Sequence, residues 1–193
     1  MGRPRAFDTE TAVARALDTF WSRGYEATSV GDLCGAMGLS RSSLYEAFGS
    51  KHGLLLAALE SYEAGVTKRV AAALSRPFPV QVNLRDFLMV FVDGAVEGPG
   101  RRGCFLGNCT GELAAAEPEL AARFGSAFDA IEGEIHVALA RGQAAGEIAP
   151  DTDIRALARF LVSTIQGLRL VAKANPHRDR LVDIVDVALR TVR

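Results

Sequence analysis

Apolar side chains recur along this chain at helical spacing, and strand-like alternation is nearly absent. Val13, Ala16, Leu17, Phe20 and Trp21 fall at i, i+3, i+4, i+7 and i+8, one face of a helix. Asp8 or Thr9 caps its start, and Gly24 ends it where a left-handed residue is needed. Thr28 is expected to cap a second, short helix with Val30, Leu33, Cys34 and Met37 inward, broken at Gly38. Ser40 opens a third, with Leu44 and Phe48 inward and Gly49 as its stop. Ser50 opens a long fourth, on which Leu55, Ala58, Leu59, Tyr62, Val66, Val70 and Leu74 keep the stripe.

Pro77 and Pro79 interrupt the pattern. A fifth helix is predicted after Asn83, with Leu84, Phe87, Leu88, Phe91, Val92 and Ala95 on one side. Gly98 to Gly103 reads as a loop, and Phe105 to Ala115 as a short helix. Pro118 suits the first position of another, striped by Leu120, Phe124, Phe128, Ile131, Ile135 and Leu139. Asp151 or Asp153 opens a helix carrying Ile154, Leu157, Ala158, Leu161, Ile165 and Leu168. Beyond Pro176, a last stripe joins Leu181, Ile184, Val185, Ala188, Leu189 and Val192. The prediction is an all-α fold of about nine helices. Residues 1–53 form an N-terminal three-helix unit with a helix-turn-helix. Residues 54–193 form a C-terminal helical domain, with helix four as connector.

Composition narrows the classes. With 193 residues, 49% of them hydrophobic, the chain supports one or two packed cores. Its net charge of −1 exerts no general pull on nucleic acid. Residues 1–53 balance Arg3, Arg5, Arg15, Arg23, Arg41 and Lys51 against Asp8, Glu10, Asp18, Glu26, Asp32 and Glu46. Position therefore matters more than composition. No apolar run approaches the ~18 residues of a membrane span, no apolar stretch follows Met1 to Arg5, and Ala6 breaks the myristoylation pattern. The expected location is cytoplasmic. Cys34, Cys104 and Cys109 suit reduced thiols better than a disulfide framework. They lack Cys-x-x-Cys spacing, and His52, His136 and His177 are scattered, so neither a metal nor a cofactor is expected.

Helices two and three are short, and Met37-Gly38-Leu39 joins them. A tight turn through glycine is what a helix-turn-helix requires. The third helix turns Arg41, Ser42, Ser43 and Tyr45 outward. An arginine beside small polar donors reaches base edges and phosphates when a helix N-terminus enters a major groove. A plain three-helix bundle would share these traits. The stretch GLSRSSLYEAFGSKHGL, with Gly38, Ser40, Leu44, Tyr45, Phe48, Lys51 and Leu54 in register, resembles the signature of the TetR family of repressors. The opening GRPR, the segment FWSRGYEATSV and, further on, RGCFLGN are also similar to members of that family.

The resemblance implies a dimeric repressor of palindromic operator DNA, released by a small-molecule effector, with the last two helices pairing with their copies. It implies DNA contacts from Ser40, Arg41, Ser42, Ser43, Tyr45 and His52 and phosphate contacts from Thr28 and Lys51. Arg3 and Arg5 are either a minor-groove arm or a disordered basic tail. A cation at a helix start opposes the macrodipole, and a phosphate near Lys51 would offset that.

The second domain should hold the effector pocket. Its candidate lining is Phe87, Phe91, Cys104, Phe105, Asn108, Phe124, Phe128, Phe160 and Gln166, with Cys109 and His136 as further members. Aromatic residues at helical spacing also serve as ordinary core. Asn108 and Gln166 are polar within apolar stretches and need partners. Cys104 follows Arg101 and Arg102 near a helix start, the electropositive setting of a reactive thiol. A thiol-based electrophile or redox sensor is therefore the alternative to a non-covalent effector. Gly98 to Gly103 matches G-x-G-x-x-G in letters only, since no strand precedes it. With no nucleophile–base–acid set in view, the chain is expected not to be an enzyme.

Overall fold

The computed structural model describes residues 7–192, the side chains of Glu97, Pro99 and Gly100 apart. The described residues form nine α-helices and one short 3-10 turn, with no strand. The chain divides into two compact units that meet at Ala64 and Gly65.

In the first unit, α1 (Thr9–Arg23) is capped by Asp8, whose carboxylate accepts from the Glu10 N–H at 3.1 Å. Gly24 ends it with φ 86°, a backbone conformation that side chains disfavour. α1 packs against α2 (Val30–Met37), and α2 against α3 (Arg41–Phe48). Ala16, Phe20, Leu33 and Leu44 have almost no solvent exposure, and neither do Leu54, Leu55, Ala58 and Leu59 at the start of α4 (Lys51–Leu74). Trp21 and Cys34 are half-buried rather than core. Trp21 stacks edge-on against Tyr62, ring centroids 5.3 Å apart.

One expectation fails here. Ser29, not Thr28, caps α2. The Ser29 hydroxyl accepts from the Asp32 N–H at 3.1 Å, and the Asp32 carboxylate accepts from the Ser29 N–H at 2.9 Å, a reciprocal capping box. Thr28 is fully buried, and its hydroxyl donates to the Gly24 carbonyl at 2.6 Å. The turn Met37-Gly38-Leu39 behaves as expected: Gly38 is left-handed, with φ 69° and ψ 29°. Ser40 caps α3 by accepting from the Ser43 N–H, and Ser50 accepts from the Gly53 N–H at the start of α4.

The second unit holds the rest of α4 and α5 (Val80–Glu97), the 3-10 turn Pro99–Arg102, α6 (Phe105–Leu113), α7 (Pro118–Ala144), α8 (Ile154–Ala174) and α9 (Arg178–Leu189). α5 begins three residues before the expected Asn83. Its first N–H, from Val80, donates to the Glu147 carboxylate at 2.5 Å. Asn83 is buried inside the first turn, where its amide donates to the Arg76 and Phe78 carbonyls. Asp153 rather than Asp151 caps α8. The core joins Leu84, Leu88 and Val92 of α5, Ile135 and Leu139 of α7, Leu161, Ile165 and Leu168 of α8, and Leu181 and Val185 of α9. No helix of the described residues is long and apolar enough to cross a membrane.

Candidate functional site

The first unit presents α3 as a short, rigidly started helix. Three hydroxyls gather at its N-terminus: Ser40 Oγ lies 2.8 Å from Ser42 Oγ and 2.9 Å from Ser43 Oγ. Arg41 and Ser42 are exposed, Ser43 is half-buried, and Tyr45 is 48% exposed. Leu44 faces the other way and is the one fully buried residue of α3. A single inward anchor thus turns an arginine, small hydroxyls and a phenol to the outside. Arg15 reaches from α1 to the Met37 carbonyl at 3.4 Å, bracing the turn that precedes α3.

Lys51 and His52 open α4, both half-buried. The Lys51 ammonium lies 4.2 Å from the centroid of the Tyr25 ring. The negative face of that ring offsets part of the macrodipole's repulsion of the cation. Thr28 drops out as a phosphate donor, because its side chain is buried and its hydroxyl proton already serves Gly24. Arg3 and Arg5 lie outside the described residues.

In the second unit, a pocket of about 420 Å³ opens between α6, α7 and α8. Of the residues expected to line an effector site, it brings together Cys104, Asn108, Phe128 and Gln166. The others lie elsewhere. Phe105 and Phe124 are spent on the core, 1% exposed each, and Phe160 is 43% exposed on α8. Phe87 is buried and stacks edge-on against Phe91 at 5.1 Å. Neither Cys109 nor His136 lines the pocket. Cys109 is buried, and burial, with Glu112 and Cys104 adding to it, pushes its thiol up to about 12.

The remaining wall comes from Gly107, Thr110, Gly111, Gly167, Arg169, Leu170 and Lys173. Gly107 allows the close approach of α6 to α8: a Cβ there would stand 3.0 Å from Gln166 Oε1. Arg169 donates to the Gly103 carbonyl at 2.8 Å, and its guanidinium lies 5.1 Å from the Phe91 centroid. Lys173 donates to Asn108 Oδ1 at 3.2 Å, while the Asn108 amide donates to the Arg102 carbonyl at 2.8 Å. Cys104 is the N-cap residue of α6, 6% exposed. The sequence carried a signal for this wall. Cys104, Gly107, Asn108 and Gly111 fall at i, i+3, i+4 and i+7, and so do Gln166, Arg169, Leu170 and Lys173.

A capped helix-turn-helix with a polar outer face, followed by an all-helical unit with a pocket of its own, defines a helix-turn-helix DNA-binding regulator. Residues 12–58 match the family model described as bacterial regulatory proteins, tetR family, and residues 82–189 match the tetracyclin repressor-like C-terminal domain. The chain belongs to the TetR family of transcriptional regulators and is not an enzyme. It is 36% identical over 190 residues to the HTH-type transcriptional regulator YezE of Bacillus subtilis, covering 98% of each chain. It is 33% identical over 191 residues to the HTH-type transcriptional repressor ComR of Escherichia coli, covering 98% of this chain and 90% of ComR. Two solved structures of cysteine mutants of the TetR family regulator CifR, complexed with 26-base-pair operator DNA, share 34% identity at a TM-score of 0.83. They cover 97% and 100% of this chain, and 98% and 100% of theirs.

Proposed function

We propose that the protein is a repressor that binds a pseudo-palindromic operator as a homodimer and releases it when a small molecule fills the pocket between α6, α7 and α8. The pocket carries this reading. It is walled by apolar surface with a few convergent polar groups, the usual make-up of a small-molecule site. The effector acts by population shift, binding more tightly to the conformation that fits DNA less well. Arg41, Ser42, Ser43 and Tyr45 are the proposed groove contacts, with Ser40, Lys51 and His52 nearer the phosphates. A dimer fits the apolar residues left uncovered in the second unit, Phe160 and Val171 on α8 and Val187 on α9.

The experiment selects genomic fragments bound by the protein and footprints them. Two protected half-sites one helical turn apart, about 10 bp or a multiple of that, are expected; one asymmetric half-site overturns the dimeric reading. Arg41→Ala should relax base preference at one position at a cost of roughly 1–3 kcal/mol, whereas Lys51→Ala should weaken all sequences alike and lower the salt slope by about one.

A second reading rests on Cys104, which lines the pocket from the N-cap position of α6. In this reading an electrophile modifies the Cys104 sulfur and releases the operator. Operator release by a mild electrophile in the wild type but not in Cys104→Ser supports covalent sensing. Equal release in both, or in neither, leaves the non-covalent effector.

A further inference from the structure

The pocket has a charge as well as a shape. None of its eleven lining residues is Asp or Glu, and two of them, Arg169 and Lys173, are cations one turn apart on α8. Residues four apart on a helix are neighbours on its surface. Both cations are held in place by neutral groups rather than by carboxylates: Arg169 by the Gly103 carbonyl and the face of Phe91, Lys173 by the Asn108 amide oxygen. An arginine has five N–H donors and a lysine three, so one bond each leaves donors for a guest. The Gln166 amide lies one turn back on the same helix, and Gly111 and Gly167 leave open space, since a Cβ on either would meet nothing within 4 Å. The result is a cationic end on a chamber whose remaining wall is mostly apolar, with Asn108, Thr110 and Gln166 as its neutral polar groups.

From this arrangement we infer that the ligand of the pocket is a small organic carboxylate. Its anionic group bonds to Arg169 and Lys173, and its apolar body lies over Gly111, Phe128 and Leu170. This deepens the effector reading above and rests on it. Charge-assisted hydrogen bonds are roughly twice as strong as neutral ones, so a carboxylate should be favoured over its uncharged counterpart.

Lys173 has a simpler role open to it. It lies in the last turn of α8, where a cation complements the helix dipole. The test separates the two. Benzoate, phenylacetate and hexanoate, each beside its primary amide, are titrated calorimetrically into the full chain, and operator binding is followed by fluorescence anisotropy. At least one carboxylate should bind about tenfold or more tightly than its amide. Lys173→Met keeps the stem that packs on Gly103. It should cut that preference at least about threefold, with the acid losing more affinity than the amide. Equal binding of acid and amide, no carboxylate binding at millimolar concentration, or a Lys173→Met variant that melts lower yet keeps the preference each overturns the proposal. If carboxylates bind and the operator stays bound, the anion site stands and the effector reading falls. If the amides alone release the operator, the effector reading stands and the anion site falls.

Discussion

Replacing Leu44 with alanine removes the one fully buried side chain of α3. The lost groups amount to about three methylenes, roughly 2.4 kcal/mol at ~0.8 kcal/mol each, and an unfilled cavity brings the cost to about 3 kcal/mol. A unit of about 60 residues has a total stability of only ~3–9 kcal/mol. The melting midpoint of the first unit should therefore fall by roughly 12–24 °C, at ~4–8 °C per kcal/mol. Trp21 is the only tryptophan of the chain, and it lies in this unit against Tyr62, so its fluorescence reports the event selectively. Operator affinity should respond differently. A unit that stays mostly folded at 25 °C loses affinity only by its unfolded fraction, so binding falls little there and steeply on warming. Arg41→Ala should do the reverse, lowering affinity at every temperature with no shift in the Trp21 transition. A Trp21 midpoint that moves by less than about 4 °C in Leu44→Ala would mean that α3 is anchored by something other than this side chain.

Val185 is fully buried in the second unit while Val187 is 57% exposed, so Val185→Asp should unfold that unit and Val187→Asp should dissociate a folded dimer, distinguished by circular dichroism and light scattering. The Asp32 carboxyl is held below its ordinary 3.8 mainly by the Ser29 hydroxyl and then by the Ser29 N–H. Its folded value lies below its unfolded one, so the stabilisation is complete above pH 3.8 and is lost as pH falls through the lowered value. The difference in Trp21 melting between wild type and Asp32→Asn should shrink in that acid range and stay constant near neutrality. Cys109, pushed up to about 12 by burial, should resist iodoacetamide at pH 7.4 in the folded protein and react in guanidinium; rapid native labelling seen by peptide mass spectrometry would contradict its placement.

The reading head was legible because its signals are local. A glycine at a left-handed turn, a hydroxyl residue ahead of each short helix and one inward leucine need no knowledge of the rest of the chain. Thr28 misled because two hydroxyl residues stand side by side, and only the reach of Asp32 back to Ser29 selects the cap. Periodicity located the buried faces of the second unit but could not divide them between core and pocket. Phe105 and Phe124 are apolar at helical spacing, as Phe128 is, yet only Phe128 meets the cavity. The α8 stripe of Gln166, Arg169, Leu170 and Lys173 keeps helical spacing in sequence, but only Gln166 stands out there as a pocket candidate. Its meaning depends on Gly103, Phe91 and Asn108, which lie far from it along the chain.

The contact between Glu147 and Val80 bears on the order of assembly. Pro79 offers α5 no side-chain cap, and the carboxylate that receives its first N–H comes from 67 residues further on, beyond the whole of α7. The amino end of α5 cannot be completed by its own neighbours during synthesis. It waits until α7 and the turn after it have been made and have returned. Closing so long a loop costs entropy before the contact repays it. α5 should therefore begin to wind from its interior and complete its first turn late, in the same step that docks the end of α7. The second unit then closes as one cooperative body, and a nascent chain cut short before Glu147 leaves the start of its fifth helix frayed.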